Sequence, residues 1–277
     1  MKNIILIIVL LSVTNCFSQY CTSFTDAKVC ALKENKLIFI AYQITLNGVY
    51  KSKYKDAKEC ITSEILKKYV CLVKSLNLVD GAKNNNNENY LEIIDFNNVI
   101  VLKMTLEDYN NNKGPDFFIN NALNLNQDFN QDILQNYNLN PNYSNALSIF
   151  NKLLEFSLNK NFNYNSQILE YCENYLSKAK NEIEKNDIGY NQRKQEILLK
   201  KLEILAYEGS FNKLEKKLNK VKFNNVFNEN KNVFFFLKYI IEKHKKNISN
   251  ELNNYINENI EFGIYVDKAL KIISYYS

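Results

Sequence analysis

The chain has 277 residues, of which 46% are hydrophobic and 23% charged. Ile, Leu, Val, Phe and Tyr recur throughout, which excludes disorder over the whole length and suggests one or two packed domains. Its 6 Gly and 2 Pro argue against a collagenous or turn-dense sandwich. The net charge of +5 rests on Lys, with Arg193 the single arginine, so the Arg forks of a nucleic-acid binder are missing.

Residues 1–20 open with Lys2 and an apolar run from Ile4 to Val13. A bilayer-spanning helix needs about 20 apolar residues, so this run fits the core of a secretory signal peptide. The small residues Cys16 and Ser18 suit a cleavage site after residue 18, leaving Gln19 or Tyr20 as the new N-terminus. Lipid attachment at Cys16 is the alternative, although the preceding VTN matches the lipoprotein box poorly. The expected address is periplasmic or extracellular, with no transmembrane span.

The elements then follow in order. Residues 22–36 carry Phe24, Ala27, Ala31 and Leu32 at near-helical spacing, with Thr22, Ser23 or Thr25 as N-cap. Leu37 to Gln43 reads as a buried strand. Gly48 marks a loop. Lys51 to Tyr69 reads as a lysine-rich helix in two pieces, the second capped by Thr62 or Ser63. Val70 to Leu78 is a second strand, and Gly81 to Asn89 a low-complexity loop. Tyr90 to Leu106 holds one or two more strands, and Pro115 opens a helix. Residues 125–142 are rich in Asn and Gln and read as a domain boundary, with Pro141 restarting a helix.

Beyond it, apolar residues recur every three or four positions. One stripe holds Ala146, Leu147, Phe150, Leu153 and Leu154, and a second runs from Ile168 to Ala179. A third holds Ile197, Leu198, Leu202 and Leu205; a fourth holds Phe211, Leu214, Leu218 and Val221. Val233 to Ile241, Leu252 to Ile264 and Val266 to Tyr276 continue the series. Helices of this length separated by short turns predict stacked antiparallel hairpins. Residues Leu202 to Leu218, with Tyr207, Gly209 and Phe211 at the bend, resemble a tetratricopeptide turn, but no second copy recurs at about 34 residues.

Without Cys16, five cysteines remain: Cys21, Cys30, Cys60, Cys71 and Cys172. An exported compartment permits disulfides, and two readings stand. One is a structural disulfide among Cys21, Cys30 and Cys60, whose connectivity the sequence leaves open; the other is inert thiols. The lone histidine, His244, sits among lysines at a helix end and reads as a solvated side chain. Glu107 and Asp108 read as surface carboxylates, Lys51 to Lys58 as a solvated face, and the sequons at Asn142 and Asn247 carry no weight in a bacterial envelope. No catalytic set, cofactor site or metal site emerges.

The stretch FTDAKVCALKENKLIFIAYQ, residues 24–43, and the later ITSEILKKYVCLVKSLNL are similar to elements of the thioredoxin-like superfamily, in its exported bacterial branch. The resemblance spans about residues 22–124. It implies an α/β thioredoxin-like domain there, while the apolar stripes predict an all-α helical-hairpin domain over 142–277. In catalytic members a C-x-x-C pair follows the first core strand, where a helix N-terminus lowers the thiolate pKa. Gln43 to Tyr54 holds no cysteine, and no proline lies between residues 37 and 114 to face one. The resemblance thus implies a redox-silent scaffold, and the helical hairpins beyond it read as an interaction domain, since such surfaces generally bind proteins, with another envelope or secreted protein as the partner. A thiol oxidoreductase using noncontiguous cysteines and an envelope structural protein are the rival readings.

Export makes a direct prediction. Intact mass of the protein from its native host should correspond to a chain starting at Gln19 or Tyr20. A chain that retains residues 1–18 contradicts it.

Overall fold

The computed structural model describes residues 20–46, 49–50, 57–78, 91–104, 114–128, 132–160 and 162–276. The expected signal segment 1–18, the loop at 81–89, Gly48 and the Glu107–Asp108 pair lie outside them. The chain divides into two compact units between Asn138 and Leu139.

In the first unit, helix α1 (Phe24–Glu34) starts because Ser23 Oγ accepts the Asp26 N–H at 3.1 Å. It stops at Asn35, whose φ of 51° ends the helix in the left-handed region. Strand β1 (Ile38–Leu46) follows, with a two-residue β2 (Val49–Tyr50) paired back on its end. Helix α2 (Ser63–Lys68) is capped by Thr62 and leads into β3 (Val70–Leu78). The expected first piece of the lysine-rich helix is not helical where it is described. Residues 57–60 are turns that bury Ala57 and Cys60, and residues 51–56 lie outside the described set.

β1 runs parallel to β3 from Ile38↔Val70 to Leu46↔Leu78, and antiparallel to β4 (Leu91–Ile94) on its other side. β5 (Ile100–Lys103) extends the sheet antiparallel to β4, giving a mixed five-stranded sheet. The β4–β5 turn is built by the Asp95 carboxylate, which accepts the N–H groups of Asn97 and Val99 at 2.8 and 2.9 Å. Four consecutive residues, Ile38 to Ala41, are buried, so both faces of β1 are covered. The ring of Phe39 meets Tyr69 and Phe118 of α3 (Gly114–Asp128). Helix α1 packs on β1 and β3 and covers the opposite face, with Ala27 and Ala31 against the sheet. The polar stretch read as a boundary is largely helical. α3 runs to Asp128, and α4 (Asp132–Leu139) follows at once, tied to the α1 cap because Asn35 Nδ2 donates to Asp132 at 2.6 Å.

Among its described residues the second unit contains helices and no strand. α5 (Tyr143–Phe156) is capped by Asn142, so Pro141 stands outside the helix it was expected to start. α5 pairs with α6 (Asn165–Asn181), α7 (Tyr190–Tyr207) with α8 (Phe211–Leu218), and α9 (Lys231–His244) packs on α8. α10 (Asn250–Glu258) and α11 (Gly263–Tyr275) complete it. The third stripe shifts by one residue, since Leu199 is buried and Leu198 is 47% exposed. The fourth ends at Leu218, and Val221 belongs to the turn beyond it. Ile260 and Ile264 stand exposed, contrary to the expected apolar stripe.

The α7–α8 bend needs a glycine. Gly209 has φ +70°, and a Cβ there would lie 2.7 Å from the Tyr276 ring. Gly209→Ala combines a left-handed Ala with overpacking, at a cost of about 2–4 kcal/mol. Thermal unfolding should show a clearly lower midpoint, and an unchanged midpoint contradicts this account of the bend.

Candidate functional site

The cysteines fall on separate elements. Cys21 forms an isolated parallel bridge with Leu72, its N–H donating to the Cys71 carbonyl at 2.9 Å. Being opposite Leu72, Cys21 shares that residue's side of the sheet, while the Cys71 side chain leaves from the other. Cys30 lies along α1, and Cys60 is buried in the turn before α2. Cys71 and Cys172 are buried as well. Burial pushes the Cys71 thiol up to about 12 and raises Cys172 well above its ordinary value. Neither is a thiolate near neutrality.

His244 is the last residue of α9, and its ring lies 4.4 Å from that of Phe211. Arg193 is ion-paired with Asp187 and sits over the Tyr143 ring, whose hydroxyl donates to Glu196 at 2.7 Å. No three His, Cys, Asp or Glu side chains gather to hold a metal among the described residues. No described helix is long and apolar enough to cross a membrane.

Each unit holds a cleft among its described residues. In the first unit, Phe24, Val29 and Leu32 of α1 line a cleft of about 680 Å³ together with Phe96 of the β4–β5 turn. Lys28 is the charged residue of its described lining. In the second unit, a cleft of about 550 Å³ opens between α8, α9 and the start of α10. Leu218, Val221, Phe223, Phe234 and Ile241 supply apolar walls. The rim is charged and already ordered. Lys245 Nζ holds Glu215 at 2.5 Å, and Lys238 pairs with Glu251 and, at 3.8 Å, with Glu242. Glu242 also accepts the Ser249 N–H at 2.7 Å, which fixes the entry to α10. An apolar interior with a paired polar rim is the anatomy of a protein-recognition patch.

Behind this cleft lies a polar centre that sequence reasoning missed. Lys200 and Glu203 of α7 pair at 3.0 Å and are both buried. Glu203 Oε2 and the Tyr207 hydroxyl are buried without a hydrogen-bond partner. Lys268 of α11 sits over the rings of Tyr207 and Phe236, at 5.5 and 5.3 Å. Burial lowers the Lys268 pKa, with Glu203 opposing that shift and Lys200 adding to it. Tyr207 is held well above its ordinary value, first by burial and then by Glu203. A phenol, a paired carboxylate and a desolvated lysine meet in this centre. The i, i+3 charges at Lys200 and Glu203 look like a solvated helix face, so the signal for burial was absent from their own segment.

No family model, no curated protein and no solved structure matches the chain.

Two outcomes follow from these environments. At pH 8, a thiol reagent should label native Cys21 and Cys30, while Cys60, Cys71 and Cys172 react only on unfolding. Rapid labelling of Cys71 contradicts the burial described. The second concerns Lys268, whose folded pKa lies below its unfolded 10.5. Between those two values the unfolded chain binds the extra proton, so this group makes stability rise with pH. Denaturant titrations should find Lys268→Met more stable than the wild type, by a margin that shrinks as pH approaches 10.5. A margin that grows with pH reverses the assignment.

Proposed function

We propose that this is an exported, non-catalytic protein with a redox-silent thioredoxin-like unit and a helical unit that binds another envelope or secreted protein. The observation that carries the binding reading is the α8–α9 cleft, with its apolar walls and ordered rim of Lys–Glu pairs. The thioredoxin-like reading draws on element order. Parallel β1 and β3 are joined through α2, then an antiparallel hairpin and a closing helix follow, as the resemblance implies. Redox silence draws on the sequence after β1, which holds no cysteine as far as Tyr54. It also draws on Cys60 and Cys71 being buried. These two positions are what disfavour an oxidoreductase with noncontiguous cysteines.

The test places a photoreactive amino acid at Asn219, on the cleft rim, in the full chain in its native host. A discrete protein adduct is expected, and Lys245→Glu should abolish it by setting a carboxylate against Glu215. That substitution touches only a surface pair, so folding should change by less than about 1 kcal/mol. Equal cross-linking from an exposed control position such as Asn174 contradicts specific binding at the cleft. Thioredoxin-like turnover of insulin, lost in Cys30→Ser or Cys60→Ser, overturns redox silence.

A further inference from the structure

Helix α11 crosses the helical hairpins while burying little of itself. At its start, Tyr265 meets the ring of Phe236 on α9 at 5.8 Å. One turn on, Lys268 reaches Tyr207 at the end of α7. At its end, the Tyr275 hydroxyl accepts from Asn165, the first residue of α6, at 2.6 Å. Tyr276 then donates to the Tyr207 carbonyl and stands edge-on to Phe211 at 6.0 Å. A helix of 13 residues thus runs from α9 past the end of α7 to the start of α6, yet only Ala269 and Ile272 are fully buried. Ile264 is 76% exposed and Leu270 40% exposed. By contrast, α9 buries Val233 to Leu237 and Tyr239 to Ile241.

The seat beneath α11 is polar and incompletely paired. Glu203 Oε2 and the Tyr207 hydroxyl lie one helical turn apart on α7, both buried and both without a partner. The ammonium that α11 brings over them faces two aromatic rings. A half-satisfied buried network weakens the contact that contains it. A 3-10 turn, Ile260–Phe262, leads into Gly263, the first residue of α11.

We propose that α11 is a displaceable strap on the hairpins, and that an amphipathic helix of a partner protein takes its place. That helix would carry the small and aliphatic ridge of Ala269 and Ile272, with hydrogen-bonding groups for Glu203 and Tyr207. The inference rests on the reading that the helical unit binds a protein, and it names the form of that partner.

Hydrogen exchange on the full wild-type chain tests the strap without any partner. Amides from Val266 to Ile273 should exchange together, at least tenfold faster than those from Phe234 to Ile241. Exchange of the two groups in step overturns the proposal, because α11 is then part of the common core. The second arm uses a fluorescent peptide of residues 263–276 as the probe. In Ile272→Asp, which unseats the resident helix, the remaining helices should still melt cooperatively and the peptide should bind at least tenfold more tightly than to the wild type. Loss of the cooperative melt, or peptide binding no tighter than to the wild type, also overturns it. The exchange arm is independent of the Asn219 cross-link, so a failed strap and a failed cleft are distinguishable.

Discussion

Helix α7 is enclosed from Leu202 to Tyr207, six consecutive buried residues that cover every direction around a helical axis. A surface helix of a globular domain shows one apolar stripe and one polar face. α7 has no polar face left over this span, so its polar side chains must find partners inside. Lys200 and Glu203 do so with each other, and α9 and α11 close over them with Phe236 and Lys268. The positions of α8, α9 and α11 all follow from that enclosure. The cleft between α8 and α9 has its rim ordered by the same lysine–carboxylate chemistry, in the open.

A buried ion pair is weak evidence for stability, since the desolvation of two charges offsets most of their attraction. The Lys200–Glu203 pair is therefore better understood as a constraint on arrangement. Once Glu203 is buried, Lys200 cannot leave without stranding a carboxylate, and any helix laid on top must tolerate the oxygen that Lys200 does not reach. α11 meets that demand only partly, with an ammonium held by aromatic faces. The first unit uses no comparable device. Its β1 strand buries aliphatic and aromatic residues on both faces, and among the described residues its buried polar side chains are Asp95 in the β4–β5 turn and Asn121 on α3.

What was legible in the sequence follows from how local each signal is. The run from Val70 to Leu78 is apolar and bounded by turns, and it is a strand over that same span. The helices from Tyr143 to His244 are legible because period and length agree within each segment. The one-residue error at Leu198 arises because three leucine or isoleucine residues precede Lys200 in a row, and period alone cannot choose among neighbours. The Asn-rich boundary stretch is weak in propensity, yet α3 and α4 form there because Phe118, Leu125 and Leu134 are buried. The polar centre was illegible for a different reason. The cover over Lys200 and Glu203 comes from Lys268 and Tyr265, more than sixty residues along the chain, and no local pattern records it.

Competition for the seat on α7 can be put on a rough scale. A helix tethered by a short turn acts at an effective concentration on the order of 1 mM. A partner present at about 1 μM must then bind the same seat about a thousandfold more tightly than α11 does, which corresponds to roughly 4 kcal/mol. Satisfying a buried polar group that was unpartnered is worth about 1–3 kcal/mol. Two such groups, Glu203 Oε2 and the Tyr207 hydroxyl, span about 2–6 kcal/mol together. A helix that pairs both reaches that threshold in the upper half of the range, whereas one that matches only the Ala269 and Ile272 ridge falls short of it. The unpaired atoms thus set a chemical threshold as well as a weakness: apolar fit alone leaves α11 in place, and entry requires a hydrogen-bond donor for Glu203 and a partner for the phenol one turn away.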